Sequence, residues 1–562
     1  MLDEFLHEPQ IAYFSMEIAL HDDIPTYAGG LGVLAGDTLR SAADLDVPMV
    51  AVTLVSRAGY FRQEIDAQGR QVERDDSWEP QKFADPLGAK IALLMEGREV
   101  WVRSWLYTVR GLRGHRRPVI LLDTDVDENR DEDREITHRL YGGDEAYRLK
   151  QEIVLGIGGV RMLHALGFHI RQYHLNEGHS ALLALELLRR FARSAEEAGN
   201  GSIYDIPRVR ELCNFTTHTP VEGAHDQFSY DLVRRIMGDL IDLNQLEALA
   251  GPDRLNMTRL ALNLSEYVNG VGRRHAEVSQ RSFPGYRIHA IANGVHPSAW
   301  TCQSIAQLYD SALPGWRHEP ELLIRVDQVP DEALWQAHLT AKRALVARVQ
   351  AITGTQLKPE VPILAFARRM TAYKRPDLLF YDLKRLQRIA RTQPFQLIVA
   401  GKAHPRDEGG KQLIETLNRH CRDLADVIPM VFLPNYGMAQ ALDVVSGADV
   451  WLNTPLPPLE ASGTSGMKAA FNGVPSLSVL DGWWIDGCIE GVTGWAIGND
   501  SQSSEGDDAA SLYEKLESKV LPLYRASPHD WITVMKGAIG KNASYFNSHR
   551  MMRRYATEAY IR

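Results

Sequence analysis

Ala448-Asp-Val-Trp-Leu-Asn453, Glu460-Ala-Ser-Gly-Thr-Ser-Gly-Met-Lys468 and Val474-Pro-Ser-Leu-Ser-Val-Leu480 follow one another within a single short span. The first is an apolar run, the second a turn with two glycines that leads into the helical Met467-Lys-Ala-Ala-Phe-Asn472, and the third another apolar run. Strand, glycine-rich turn, helix, strand is the order of an α/β unit. Free backbone N–H groups at such a turn face whatever anion occupies it, and glycines let the anion come close. Ser and Thr ahead of a helix also serve as plain N-caps, and on this segment alone both readings stand.

Working outward, Val361-Pro-Ile-Leu-Ala-Phe366, Phe395-Gln-Leu-Ile-Val-Ala400 and Ile428-Pro-Met-Val-Phe-Leu433 are further apolar runs separated by helical patterns. That alternation predicts a parallel, doubly wound sheet. Ligands of such sheets bind beyond the C-terminal strand ends, and polar residues follow each run there: Arg368-Arg-Met-Thr-Ala-Tyr-Lys374, Gly401-Lys402 and Asn435-Tyr436. The first half carries similar but less regular runs at Ile11–Phe14, Met49–Leu54, Val119–Leu122, Gln172–Leu175 and Glu211–Phe215, and Arg287–Asn293 ends it. The expectation is an α/β protein of two facing Rossmann-like domains with a central cleft, residues 1–295 and 296–562. The last helix, within Asn547–Tyr560, has a basic face and reads as solvated, although it could also pack back on the first domain. Gly199-Asn-Gly201 and the acidic, Ser-rich Ser501–Asp508 read as surface loops.

The chain has 562 residues, 44% hydrophobic and 24% charged, which suits two large domains rather than one core. A net charge of −10 argues against a general nucleic-acid binder and leaves room for a local basic pocket. Cys213, Cys302, Cys421 and Cys488 are far apart and form no CxxC or Cys/His cluster, so no metal site or disulfide framework is indicated. They read as mostly buried thiols in a reducing compartment. No secretory leader or membrane-length apolar run is found, so a cytoplasmic location is expected.

Ala28-Gly-Gly-Leu-Gly32 precedes a helical segment, Val33 to Asp44, without the form of a dinucleotide fingerprint or a Walker loop. Arg368, Arg369 and Lys374 gather cations just past a strand, suiting either an anion or an exposed basic loop. Asn176-Glu-Gly-His179 and Thr216-Thr-His-Thr-Pro220 place imidazoles at strand ends, where a histidine can bind a ligand or simply pack. The carboxylates Glu17, Asp144, Glu177, Glu222 and Glu460 are too scattered to give a glycosidase pair.

Taken together these segments resemble the α-glucan (glycogen, starch, maltodextrin) phosphorylases. The similarity runs in order through Tyr13-Phe-Ser-Met-Glu17, Gly29–Gly32, Arg148-Leu-Lys-Gln151, Asn176–His179, Thr217–Thr219, Asn269-Gly270, Asn293-Gly294 with Trp300, Arg369 to Lys374, Gly401-Lys402, Asn435-Tyr436 and Glu460–Lys468, then Asn472-Gly473 and Asp481-Gly482. The resemblance implies the glycosyltransferase B fold and reversible, retaining transfer of a terminal α-1,4-linked glucose to orthophosphate. It also implies pyridoxal 5′-phosphate, held covalently by Lys468, with Thr464, Ser465, the amides near Gly30 and Lys374 on its phosphate and Trp300 beside it. Arg369 and Lys374 would grip the substrate phosphate, and the carbonyl of His218 would face the developing sugar cation. Glucose would be read by Glu460, Ala461, Ser462 and Gly463, with His218, Asn293 and Tyr373, and by Glu17, Gly29 and Leu31 on the glucan side. Partners would be an α-1,4-glucan or malto-oligosaccharide and orthophosphate, with a homodimer as the family's habit.

Three departures from the family pattern stand out. Leu140–Tyr147 is shorter than the family's gate loop, Thr371 replaces a histidine of the large enzymes, and Leu456-Pro457-Pro458 stands where short bacterial forms carry an arginine pair. The chain also starts almost at its first core strand, so the regulatory N-terminal region of the large enzymes is expected to be missing. The competing reading is a nucleotide-sugar-dependent α-glucan synthase on the same fold, which has no need of a lysine at position 468. A catalytically inactive glucan-binding derivative of the fold is the third.

Overall fold

The computed structural model describes residues 2–194, 196, 202–220, 225–498 and 503–561. They form two compact α/β units: residues up to Phe61, Asp75–Ala292 and the end of the chain from Met552 make the first, while Arg62–Arg74 and Asn293–Met551 make the second.

The first unit is built on a nine-stranded sheet in the order His289–Ala290, Tyr267–Gly270, Cys213–Thr216, Ile170–Asn176, Gln10–Phe14, Met49–Leu54, Arg116–Asp123, Arg98–Arg110 and Asp85–Met95. Its first seven strands are parallel. Gln10–Phe14 and Met49–Leu54 are buried at every position, as expected of strands covered on both faces. Helix Gly159–Ala165 packs so closely that a Cβ on Gly159 would lie 2.4 Å from the Phe14 ring. The two antiparallel edge strands were not legible in the sequence. Their hairpin turns on Glu96 and Gly97, both at positive φ, the geometry of a tight two-residue turn.

The second unit has six parallel strands in the order Met430–Leu433, Gln396–Ala400, Ile363–Ala367, Val450–Asn453, Ser476–Val479 and Gly494–Ile497. Numbered along the chain this is 3-2-1-4-5-6, the doubly wound order. All five runs named in this half of the sequence become strands.

Several expectations change. The run Glu211–Phe215 begins as the end of helix Ile206–Leu212, and its strand is Cys213–Thr216. Of Arg287–Asn293 only His289–Ala290 is strand. Within Ser501–Asp508, residues 501 and 502 lie outside the described residues, but helix Glu505–Lys515 starts there. Ser504 and Asp507 close its N-terminus reciprocally, and Asp508 is buried. Gly199-Asn-Gly201 and Glu222 also lie outside the described residues. The closing helix is not simply solvated: Met552, Tyr555, Ala559 and Tyr560 are buried. Tyr560 Oη is 2.6 Å from His174 Nδ1, and Tyr555 Oη is 3.2 Å from Thr216 Oγ1. Of the four free cysteines only Cys213 is buried, the others being half-exposed. Among the described residues no helix is long and apolar enough to cross a membrane.

Candidate functional site

Among the parallel strands of each large sheet the order reverses once, and the polar loops cluster at that point. In the second unit the reversal falls between Ile363–Ala367 and Val450–Asn453. The loop after the first strand carries Arg368–Lys374, and the segment after the second leads to Glu460. The Arg368 guanidinium donates to Glu460 Oε2 at 2.7 Å, and Lys374 Nζ donates to the same oxygen. All three side chains are buried. Glu460 is itself oriented from behind, because its backbone N–H donates to Asp481 Oδ2 at 2.8 Å, while Gly482 N–H takes Oδ1.

One carboxylate oxygen serves two cations. Burial works to raise the Glu460 carboxyl, but Arg368 and then Lys374 overcome it and hold the group at about 2. A guanidinium keeps its proton at any accessible pH, so of the two cations it is the lysine that can titrate. Burial first, then the Arg368 charge, push Lys374 down to about 7 despite the pull of Glu460. Burial lifts Asp481 to about 6.

The rest of the loop is tightly fixed. Gly463 is at φ 77°, and Gly482 approaches Ser462 so closely that a Cβ would lie 2.4 Å from its carbonyl oxygen. Thr464 has helical backbone angles and makes no side-chain cap to helix Ser465–Phe471, so the plain N-cap reading of this segment does not hold. Ser465 Oγ instead accepts from Trp451 Nε1 at 3.1 Å. Lys468 is buried with Nζ 3.8 Å from the centroid of the Trp300 ring. Asn472 ties the Trp300 region to this helix, accepting from Cys302 N–H and donating to the Trp300 carbonyl. Ser462 Oγ, Arg368 Nη1 and Asn293 Oδ1 are buried with no hydrogen-bond partner among the described residues. Tyr373 lies under its neighbour, its ring centroid 4.5 Å from Lys374 Nζ, and Ala461 is half-buried beside Glu460. The side chain that meets Glu460 is Arg368; the Arg369 picked out in the sequence is exposed.

In the first unit the reversal lies between Gln10–Phe14 and Ile170–Asn176, followed by Glu17 and Glu177. Glu17 turns its carboxylate back to the glycine-rich loop: Oε2 accepts from Ala28 N–H at 2.6 Å and Gly29 N–H at 3.0 Å, and Oε1 accepts from the Tyr141 hydroxyl at 2.9 Å. Gly32 has no room for a side chain, since a Cβ would lie 2.6 Å from Glu17 Oε2. Gly30, where helix Gly30–Asp44 starts, faces open space, and Leu31 is half-buried beside it.

Glu177, at φ 71°, accepts from the His218 N–H at 2.8 Å and the Thr219 hydroxyl at 2.9 Å. His218 Nε2 is 2.7 Å from Asn176 Oδ1. Withdrawal from water pushes the His218 imidazole down to about 4 against the pull of Glu177, so the ring is neutral at pH 7 and its tie to Glu177 runs through the backbone. Nearby, Arg148 donates to Asp226 at 2.9 Å and to Glu152 at 3.2 Å, with the Tyr141 ring centroid 4.4 Å from its guanidinium carbon. Asp144 caps helix Glu145–Ile153 by accepting from Tyr147 N–H, a structural task. Asp481 and Tyr141, which orient Glu460 and Glu17, were not assigned roles from the sequence; only the fold brings them to their partners.

A 3-2-1-4-5-6 sheet with buried cations, a carboxylate and an unpaired hydroxyl at its switch point defines a doubly wound α/β protein equipped to hold an anionic, hydroxyl-rich ligand. A family model described as carbohydrate phosphorylase matches residues 239–492. A maltodextrin phosphorylase of Thermococcus litoralis is 38% identical over 98% of this chain and 70% of its own length. A glycogen phosphorylase of Aquifex aeolicus is 35% identical over 99% and 87%, and one of Mycobacterium tuberculosis is 35% identical over 98% and 70%. The chain belongs to the carbohydrate phosphorylase family.

Proposed function

We propose that this protein catalyses reversible, retaining phosphorolysis of α-1,4-glucans such as glycogen or maltodextrin, transferring a terminal glucose to orthophosphate to give α-glucose 1-phosphate. The observation that carries the reading is the switch-point cluster: Arg368 and Lys374 share Glu460 Oε2 on the segment that runs into Lys468, while Ser462 Oγ and Arg368 Nη1 keep unused hydrogen-bonding capacity. Buried donors of that kind discriminate strongly among sugar and phosphate partners, because a mismatched ligand leaves them unpaired. Relatives named as maltodextrin and glycogen phosphorylases, aligned over nearly the whole chain, support it further. They do not favour the nucleotide-sugar synthase.

Pyridoxal 5′-phosphate fits the residues present. Lys468 offers a primary amine withdrawn from water against the Trp300 indole, and Thr464 and Ser465 lie one turn before it. Lys468, Thr464, Ser465, Lys374 and Trp300 would hold the group. When bound it supplies a phosphate that passes a proton to and from orthophosphate. The chain's own part is to position and to balance charge. Glu460 stays ionised for a sugar hydroxyl, and Arg369 and Lys374 would neutralise orthophosphate. Lys374, titrating near neutrality, can hold or release a proton at Nζ as anions arrive. Incubating the protein with maltodextrin and orthophosphate, and in parallel with maltodextrin and ADP-glucose, tests the reading. Glucose 1-phosphate from the first and no chain extension from the second is expected; the reverse outcome refutes it.

A further inference from the structure

The hairpin formed by Arg62–Ile65 and Gln71–Arg74 belongs to the second unit and buries two glutamines where inward-facing strand positions ordinarily hold apolar residues. Every side-chain polar atom of the pair has a partner. Gln63 Nε2 donates to the Gly401 carbonyl and to Gln71 Oε1, both at 2.9 Å. Gln63 Oε1 accepts from Asn435 N–H at 2.9 Å, and Gln63 N–H donates back to Asn435 Oδ1 at 3.1 Å. Gln71 Nε2 donates to the Ala403 carbonyl at 3.0 Å and to Glu73 Oε1 at 2.7 Å, while Gln71 Oε1 accepts from Ala403 N–H at 3.0 Å. At the hairpin's tip, a Cβ on Gly69 would meet Asn418 Cβ at 2.6 Å.

The main-chain groups held in this way lie just past strands Gln396–Ala400 and Met430–Leu433. From there the path to the cationic loop is one backbone contact long. Arg368 N–H donates to the Ala400 carbonyl and Met370 N–H to the Lys402 carbonyl, each at 3.0 Å. Gly401, at φ 146°, lies so near that a Cβ there would be 1.7 Å from the Arg368 carbonyl oxygen. Displacing Gly401–Ala403 therefore displaces Arg368–Met370, and with it the guanidinium on Glu460.

We infer that Gln63 and Gln71 are positioning residues for the Arg368–Lys374 loop, so that affinity for orthophosphate is set in part by a hairpin remote in sequence. The inference rests on the phosphorolysis reading for its kinetic consequence, but not for its structural one.

The test uses the full-length protein and the substitutions Gln63→Met and Gln71→Met, which keep length and remove the polar groups. The KM for orthophosphate should rise about fivefold or more while the KM for maltodextrin stays within about twofold. Hydrogen exchange in peptides containing Met370 and Ala403 should accelerate. A purely structural hairpin would lower thermal stability and the active fraction with both KM values unchanged, and that result overturns the inference, as does a parallel rise of both. If the unsubstituted protein has no phosphorolytic activity, the functional reading fails. Exchange then decides alone: faster exchange at residues 368–370 supports the inference and unchanged exchange refutes it. Should the methionine variants not fold, Gln71→Asn, which keeps the amide but withdraws it, is expected to give the same split.

Discussion

Lys374 donates to the very carboxylate oxygen of Glu460 that accepts the Arg368 guanidinium, so two buried cations share one carboxylate oxygen. Burial first, and then the Arg368 charge, bring the lysine down to near neutrality against the pull of Glu460.

This relationship gives anion binding a defined pH dependence. Lys374 is protonated below about 7 and loses its proton above, and an anion seated beside it requires the charged form. Sulfate stays dianionic across this range. Its inhibition constant against orthophosphate should weaken by up to about tenfold per pH unit above the Lys374 value. An inhibition constant that stays unchanged to about pH 9 contradicts the assignment.

Removing the shared carboxylate should strand both cations. Glu460→Gln is expected to cost about 3 kcal/mol of stability, since breaking a buried ion pair leaves uncompensated charge. Thermal unfolding with and without sulfate checks this, because added sulfate should restore more stability to the variant than to the unsubstituted protein. Glu460 is held well below the ordinary carboxylate range, so its contribution is complete above that range and fades as pH falls towards about 2. The sulfate comparison therefore belongs at neutral pH.

Tyr141 should matter to the glycine-rich loop but only modestly. Tyr141→Phe removes one of three hydrogen bonds to Glu17 and leaves the two backbone donors in place. A loss of about 1 kcal/mol in urea unfolding is expected, with weaker maltodextrin binding as the functional sign. No change in either would remove Tyr141 from the account.

Much of the parallel framework was legible because strands covered on both faces are continuous apolar runs: Met49–Leu54 and Gln396–Ala400 need no partner to be recognised. The antiparallel edge strands Asp85–Met95 and Arg98–Arg110 were not, since exposed and buried positions mix along them and Pro86 and Gly88 interrupt the first. Loop positions could be read from strand ends, but not which side chain of a loop turns inward. Arg368 and Arg369 are adjacent and chemically identical, and only the strand's register buries the first against Glu460 and exposes the second. Gln63 and Gln71 left no signal, because a glutamine within a short polar stretch of sequence is unremarked until the fold shows what it holds.

The central claim is that the chemistry depends on Lys468, and mapping the lysine modified by borohydride reduction of the purified protein with pyridoxal 5′-phosphate tests it most directly. The account predicts a single reduced adduct on the peptide containing Lys468, absent from Lys468→Ala, which folds but forms no glucose 1-phosphate. An unmodified Lys468 in a protein that still carries out phosphorolysis would contradict it.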